Sequence, residues 1–224
     1  MTSLPVEVRS LLICTPCSSL KADPQKPISL TFSDGADPDR QAAMERQLAG
    51  NVLPARNMYQ GPHHRSVMES VDKLRGIPSP LRVEVAIISA KYGVLSESEE
   101  ISPYDESFDR YSSREAKERA QSLQINEKLT RVANQHEVVI FLLSSRYLEA
   151  IEAPLHSSAY QIYLSNSSFK SDSVSGAVVP CGRKQATEMG VSPRLAKAIR
   201  FRRFVDTSLE IGLDQSLQSL TSNV

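Results

Sequence analysis

Seven side chains in this sequence could act together on a phosphorylated or aromatic ligand: Lys21, Arg56, Tyr59, Lys91, Tyr92, Tyr104 and Asp105. Lysine and arginine bind phosphate, and arginine can do so through two parallel N–H bonds. Tyrosines stack on bases and hydrogen-bond through their hydroxyls. Asp105 could accept from a ribose hydroxyl or a base N–H, or serve as a general base, with Lys91 as the other candidate for a catalytic role. Ser89 and Gly93 belong to the same turn as Lys91 and Tyr92 and are ligand-binding candidates with them. A packing alternative stands beside this one. Tyr92 and Tyr104 could lie under the turn, Gly93 could supply a positive φ, and Pro103 could shape the loop.

The elements that must position these groups are buried strands. Residues 83–88 read as one, running into the turn at 89–93. Residues 6–14 (VEVRSLLIC) read as the first strand, with 15–21 as the loop beyond it. If strands 8–14 and 83–88 are parallel neighbours, their C-terminal loops bring the candidates together. Sites in α/β proteins are built at such strand ends.

The most apolar run, 138–143 (VVIFLL), is a further buried strand by its length and β-branched content. Residues 160–164 and 176–180 read as later strands. Helical patterns cover 62–74, 113–133, 146–151, 183–189 and 193–204, and ISLTF at 28–32 reads as a brief strand. Asp37 and Pro38 read as the N-cap and first position of a helix ending near Gly50. Residues 165–175 read as an exposed loop. This alternation predicts an α/β fold. It is a single layered domain over residues 1–205, with a mixed or mostly parallel central sheet flanked by helices. Residues 22–52 read as an insertion and 206–224 as a frayed polar tail.

Twenty-six basic and 26 acidic side chains balance, so net charge indicates no partner. The strongest local asymmetry is the basic helical segment 182–204. It carries Arg183, Lys184, Arg194, Lys197, Arg200, Arg202 and Arg203 against Glu188 alone. Such a cluster suits a phosphate backbone, with Arg194, Lys197, Arg200, Arg202 and Arg203 as the nucleic-acid contacts. Ser192 as N-cap and Pro193 at the first position would put those cations toward the helix C-terminus, where the helix dipole also favours them. His63, His64 and Arg65 open the helix at Pro62. Cations there oppose the dipole and point to an anion, or else the two histidines are simply solvated.

No run of about 18 apolar residues is present, so no membrane helix is expected, and the start of the chain lacks the pattern of a signal peptide. Three cysteines without a disulfide framework favour a reducing cytoplasm. Cys14 and Cys17 have the spacing of a redox pair or half a zinc site, but the reading favoured is a buried Cys14 and a loop Cys17, with no metal or cofactor. Nucleotide-fingerprint glycines, a P-loop and a hydrolase triad are all missing from the sequence.

Five separated signatures carry a resemblance to the peroxide-stress protein YaaA superfamily and its short relatives with a Cys-x-x-x-Lys start. They are Cys17-Ser18-Ser19-Leu20-Lys21, Ala55 to Gly61 with its Tyr-x-Gly, and Ser89-Ala90-Lys91-Tyr92-Gly93-Val94-Leu95. Ile101-Ser102-Pro103-Tyr104-Asp105 and Ser144-Ser145-Arg146-Tyr147 follow. The resemblance implies an α/β fold with a cleft, a cytoplasmic location and a role linked to DNA or nucleotides under oxidative stress. Relatives that occur beside deazaguanine-modification enzymes point to base handling. The leading expectation is therefore a protein that binds nucleic acid or a nucleotide through loops 55–61, 89–93 and 103–105. One alternative is an enzyme that cleaves a glycosidic bond or exchanges a base, and the other is a non-catalytic interaction module.

Overall fold

The computed structural model describes residues 4–22, 52–104, 106–165 and 176–222. Asp105, the expected strand at 28–32, the helix expected to end near Gly50, most of the expected insertion and almost all of the expected 165–175 loop lie outside them.

Among the described residues, six strands form one sheet: β1 (Ser10–Pro16), β3 (Arg82–Ser89), β4 (Gly93–Ser96), β6 (Val138–Phe141), β7 (Tyr160–Ser165) and β8 (Gly176–Pro180). Two short strands, β2 (Leu53–Pro54) and β5 (Glu100–Ile101), pair with each other beside it. The sheet order is β4-β3-β1-β6-β7-β8. All pairs are parallel except the β3–β4 hairpin at one edge. The fold is thus a single α/β domain with a mostly parallel mixed sheet. β1 is the parallel neighbour of β3, as the convergence of the two loops requires, with Cys14 opposite Ala86.

Burial explains the strand choice. Leu11 to Thr15 are buried on both faces, as in a sheet covered on both sides. Val6 is 91% exposed, so the first strand begins later than the apolar run suggested.

The helices are α1 (Ala55–Met58), α2 (Pro62–Arg75), α3 (Ser113–Ser122), α4 (Ile125–Ala133), α5 (Ser145–Ala150), α6 (Arg183–Glu188), α7 (Ala196–Ile211) and α8 (Leu213–Ser222). The pattern over 113–133 is two helices rather than one, because Gln124 takes a left-handed φ of 54° between them. Ser112 and Glu115 cap α3 reciprocally, at 3.3 and 2.8 Å.

The β1-to-β3 connection through α2 and the β3-to-β6 connection through α3 and α4 run in opposite directions across the sheet. With right-handed crossovers they cover opposite faces. α7 packs on α2, and α3 packs on α5. The polar tail expected from residue 206 is instead helical. α7 runs on to Ile211, and α8 packs on α7 and β8 through Leu217 and Leu220.

The strand order reverses direction at β1. The chain first moves from β1 to β3, then returns past β1 to β6. Ligands in open α/β sheets sit at such a switch point, outside the carboxyl ends of the strands. Here that crevice lies beyond Pro16 and Phe141.

Candidate functional site

The loop after β1 is tied to both neighbours. The Cys17 N–H donates to the Ile88 carbonyl at 2.9 Å. Lys21 and Tyr59 form an antiparallel bridge, flanked by Ala22 N–H to Met58 O at 2.7 Å and Gln60 N–H to Leu20 O at 2.8 Å. Residues 17–22 and 58–60 therefore form one rigid rim over the crevice.

Beneath that rim runs a chain of hydroxyls. Ser89 Oγ, at the end of β3, accepts the N–H groups of Lys91 at 3.2 Å and Tyr92 at 3.0 Å. Those two bonds occupy both lone pairs of the hydroxyl, so its own proton goes to Tyr104 Oη, 2.6 Å away. Tyr104 in turn donates to Tyr59 Oη, also at 2.6 Å. Backbone amides thus set the direction of the chain, from the strand end toward the rim. Lys21 Nζ lies 4.0 Å from the centre of the Tyr104 ring and 5.9 Å from that of Tyr59, a cation–π placement favoured where water is excluded.

The other wall comes from β6 and α5. Cys17 Sγ lies 3.1 Å from Tyr147 Oη and also faces the Glu106 carbonyl. Ser107 Oγ is 3.3 Å from the same Tyr147 hydroxyl. Arg119 reaches across from α3 to the Ala90 carbonyl at 2.8 Å and the Glu106 carboxylate at 3.2 Å, fixing this wall to the turn after β3. Burial pushes the phenols of Tyr59, Tyr104 and Tyr147 well above their usual range, and a charge on Cys17 would push all three further. They therefore act as neutral hydroxyls grouped around one thiol.

The predicted site residues divide into several groups. Lys21, Tyr59, Ser89 and Tyr104 are brought together. Tyr59 and Tyr104 are fully buried, so they shape the crevice from below and are not open for stacking. Tyr92 is half-buried against Tyr104, ring centres 5.2 Å apart, with Lys91 Nζ 5.9 Å from its own ring. Gly93 has φ 84°, which makes it the turn residue the packing alternative required. Asp105 is outside the described residues. Arg56 is held by Asp72 at 2.8 Å and Glu97 at 3.1 Å, with Arg75 on the same Glu97. The two arms of its guanidinium tie α1 to α2 and to the turn just after β4.

The histidines are not solvated cations. His64 is buried and its ring meets the Arg56 carbonyl at 3.0 Å. Burial lowers the pKa of both His63 and His64 to about 4, so both are neutral at pH 7. Cys14 and Cys17 form no disulfide; Cys14 is sealed inside β1, where burial pushes its thiol up.

The basic segment also differs from its sequence reading. α7 starts at Ala196, so Ser192 and Pro193 precede it, and Lys197, Arg200, Arg202 and Arg203 fall in its N-terminal half. Of these, Lys197 alone lies in the first turn, where the helix dipole disfavours a cation, and Arg202 stands 3.9 Å from Asp206 one turn on. Arg194, Arg202 and Arg203 are exposed, and Arg200 and Arg203 line a shallow cleft with Thr207 and Ser216. Lys197 instead turns inward and donates to the Leu143 carbonyl, just past β6, at 2.6 Å.

Cys17 and Tyr147 were missed as site residues, although each stands in a signature at a strand end. What brings them together is the β1–β6 pairing.

No curated protein and no solved structure matches the chain. One family profile does match, over residues 43–169, which takes in Tyr59, Ser89, Tyr104 and Tyr147. That span is more than half of the sequence, and the chain belongs to the family of unknown function DUF6884.

Proposed function

We propose that this protein binds a nucleotide, or an exposed base of a nucleic acid, in the crevice beyond β1, β3 and β6. The observation that carries the reading is Lys21 held over Tyr104, above a hydroxyl chain anchored at Ser89, at the switch point of the sheet. Lys91 supplies a cation beside the half-buried Tyr92 ring, and the buried Lys21 ammonium lies over Tyr104.

The arginines of α7 add phosphate-backbone contacts beside this mouth, since the Lys197 end of the helix reaches β6. The YaaA-like signatures support a cytoplasmic role tied to DNA or nucleotides under oxidative stress. Among the described residues no helix is long and apolar enough to cross a membrane.

Replacing Arg200, Arg202 and Arg203 together by Ala should weaken DNA binding and flatten its salt dependence by about 2–3 units of log–log slope, close to 0.9 for each phosphate no longer neutralised. A titration against single-stranded and duplex DNA at several salt concentrations checks this. An unchanged slope removes α7 from the interface.

A second reading, an enzyme acting on the bound base, is favoured by the buried Cys17 thiol beside the Tyr147 hydroxyl. Chromatography after incubation with a nucleotide panel separates the two. A free or exchanged base means turnover, and an unaltered nucleotide that nevertheless binds means a binding protein.

A further inference from the structure

α2 packs on α7, and at the carboxyl end of the sheet their starts leave polar groups without partners among the described residues. Gly61 is the N-cap of α2 with Pro62 in the first position, and among the described residues no side chain caps it. The amides of its first turn are therefore available to an anion. A Cβ on Gly61 would stand 2.2 Å from Ser18 Oγ, so the loop after β1 lies directly against this helix start.

His63, in that first turn, lies near the Arg194 backbone, just ahead of α7. Its ring nitrogen Nε2 is buried and has no hydrogen-bond partner among the described residues. Lys197, in the first turn of α7, is close enough to oppose protonation of His63. It gives one N–H to the Leu143 carbonyl and has two more.

Thr15 supplies the third group. Its side chain is fully buried at the end of β1, and Oγ1 has no partner among the described residues. The parallel register puts Thr15 opposite Ile87, two residues before Ser89, on the same face of the sheet as the Ser89–Tyr104 chain. Buried hydroxyls in folded proteins are nearly always paired. Two buried polar atoms that are unpaired among the described residues thus stand at the same end of the sheet as an uncapped helix start and a lysine.

We propose that the first turns of α2 and α7 form a subsite for a sugar phosphate. Lys197 and the α2 amides take the phosphate, while His63 Nε2 and Thr15 Oγ1 take hydroxyl groups next to it. In the tautomer with its proton on Nδ1, the neutral ring presents Nε2 as a bare acceptor, which calls for an O–H from the ligand. A phosphorylated ribose carries both the anion and that hydroxyl. The assignment rests on the nucleotide reading and deepens it: Tyr59 joins the two regions, its ring 5.5 Å from that of His64.

The test uses ribose 5-phosphate, which has no base, followed through the backbone amide resonances of the full chain. Saturable shifts are expected at His63, His64 and Lys197, and ribose alone or chloride at matched ionic strength should not reproduce them. Lys197→Met should weaken binding at least about tenfold, the usual scale for a missing charge-assisted bond. Thr15→Val should weaken it several-fold while raising Tm, because it removes an unpaired buried hydroxyl. The second variant decides the matter if the first does not fold.

Unmoved resonances, shifts that survive both variants, or shifts confined to Arg200–Arg203 overturn the subsite. Nucleosides titrated in parallel separate the two claims. Nucleoside binding without a ribose 5-phosphate response refutes the subsite and leaves the base site standing. A ribose 5-phosphate response with no added affinity from any base does the reverse.

Discussion

Tyr104→Phe is expected to destabilise the protein by about 2–4 kcal/mol, although it removes one oxygen and keeps the ring. Tyr104 Oη lies between Ser89 and Tyr59, at 2.6 Å from each. Without it, the Ser89 proton has no acceptor and Tyr59 has no donor, and both residues are fully buried. Each orphaned buried group costs about 1–3 kcal/mol. Tyr59→Phe, at the end of the chain, should cost less, since only the Tyr104 proton then lacks an acceptor. Lys21 can still sit over a phenylalanine ring, so the destabilisation reports the hydroxyl chain and not the cation–π placement. Urea unfolding of the two variants checks this. Equal destabilisation, or none for Tyr104→Phe, would show that Tyr104 is not the middle of a directed chain.

The second large effect is acid sensitivity well above the carboxylate range. His64 is 1% exposed, and burial lowers its pKa from 6.5 to about 4. Above pH 6.5 the ring is neutral in the folded and unfolded chains and contributes nothing to the pH dependence. Between 6.5 and 4 the unfolded chain takes up a proton that the folded one refuses, so stability falls as pH falls. The slope is about 1.4 kcal/mol per pH unit for one proton, or about 3 kcal/mol across the window. His63, lowered to about 4 by the same burial, acts in the same direction. Urea midpoints at pH 7, 5.5 and 4.5 should decline steadily, and His64→Gln should flatten the decline. Parallel declines for the two proteins would mean that His64 is protonated in the folded state.

Much of this fold could be read from the sequence, because apolar runs with β-branched residues announce buried strands. Val83–Ile88 and Val138–Phe141 are cases where the run and the strand nearly coincide. The convergence of the loops after β1 and β3 was also legible, since it needs only that two strands be parallel neighbours. The β1–β6 adjacency was not. It is set by sheet order, and it brings Cys17 to Tyr147 across 130 positions.

Burial of polar residues was the other blind spot. Arg56 looked like a loop cation, but Asp72 and Glu97 approach it from elements that local periodicity cannot place. Tyr59 and Tyr104 looked like stacking surfaces, yet their hydroxyls pair inside the core, and that pairing permits their burial. The start of α7 was misplaced because Ser192 and Pro193 form a good capping signal, whereas the chain makes a turn there first. The cations fall in its N-terminal half because the helix also runs on to Ile211, past the expected end near 204.

The central claim is that the Lys21 rim over Tyr104 is a binding site. A titration of the wild-type chain and Lys21→Met against a panel of nucleotides and single-stranded DNA, at low and physiological salt, tests it most directly. Saturable binding by the wild type is expected, weakened at least about tenfold in a Lys21→Met protein that keeps its circular dichroism and Tm. Equal binding by the two proteins, or no binding by the wild type to any member of the panel, would contradict it.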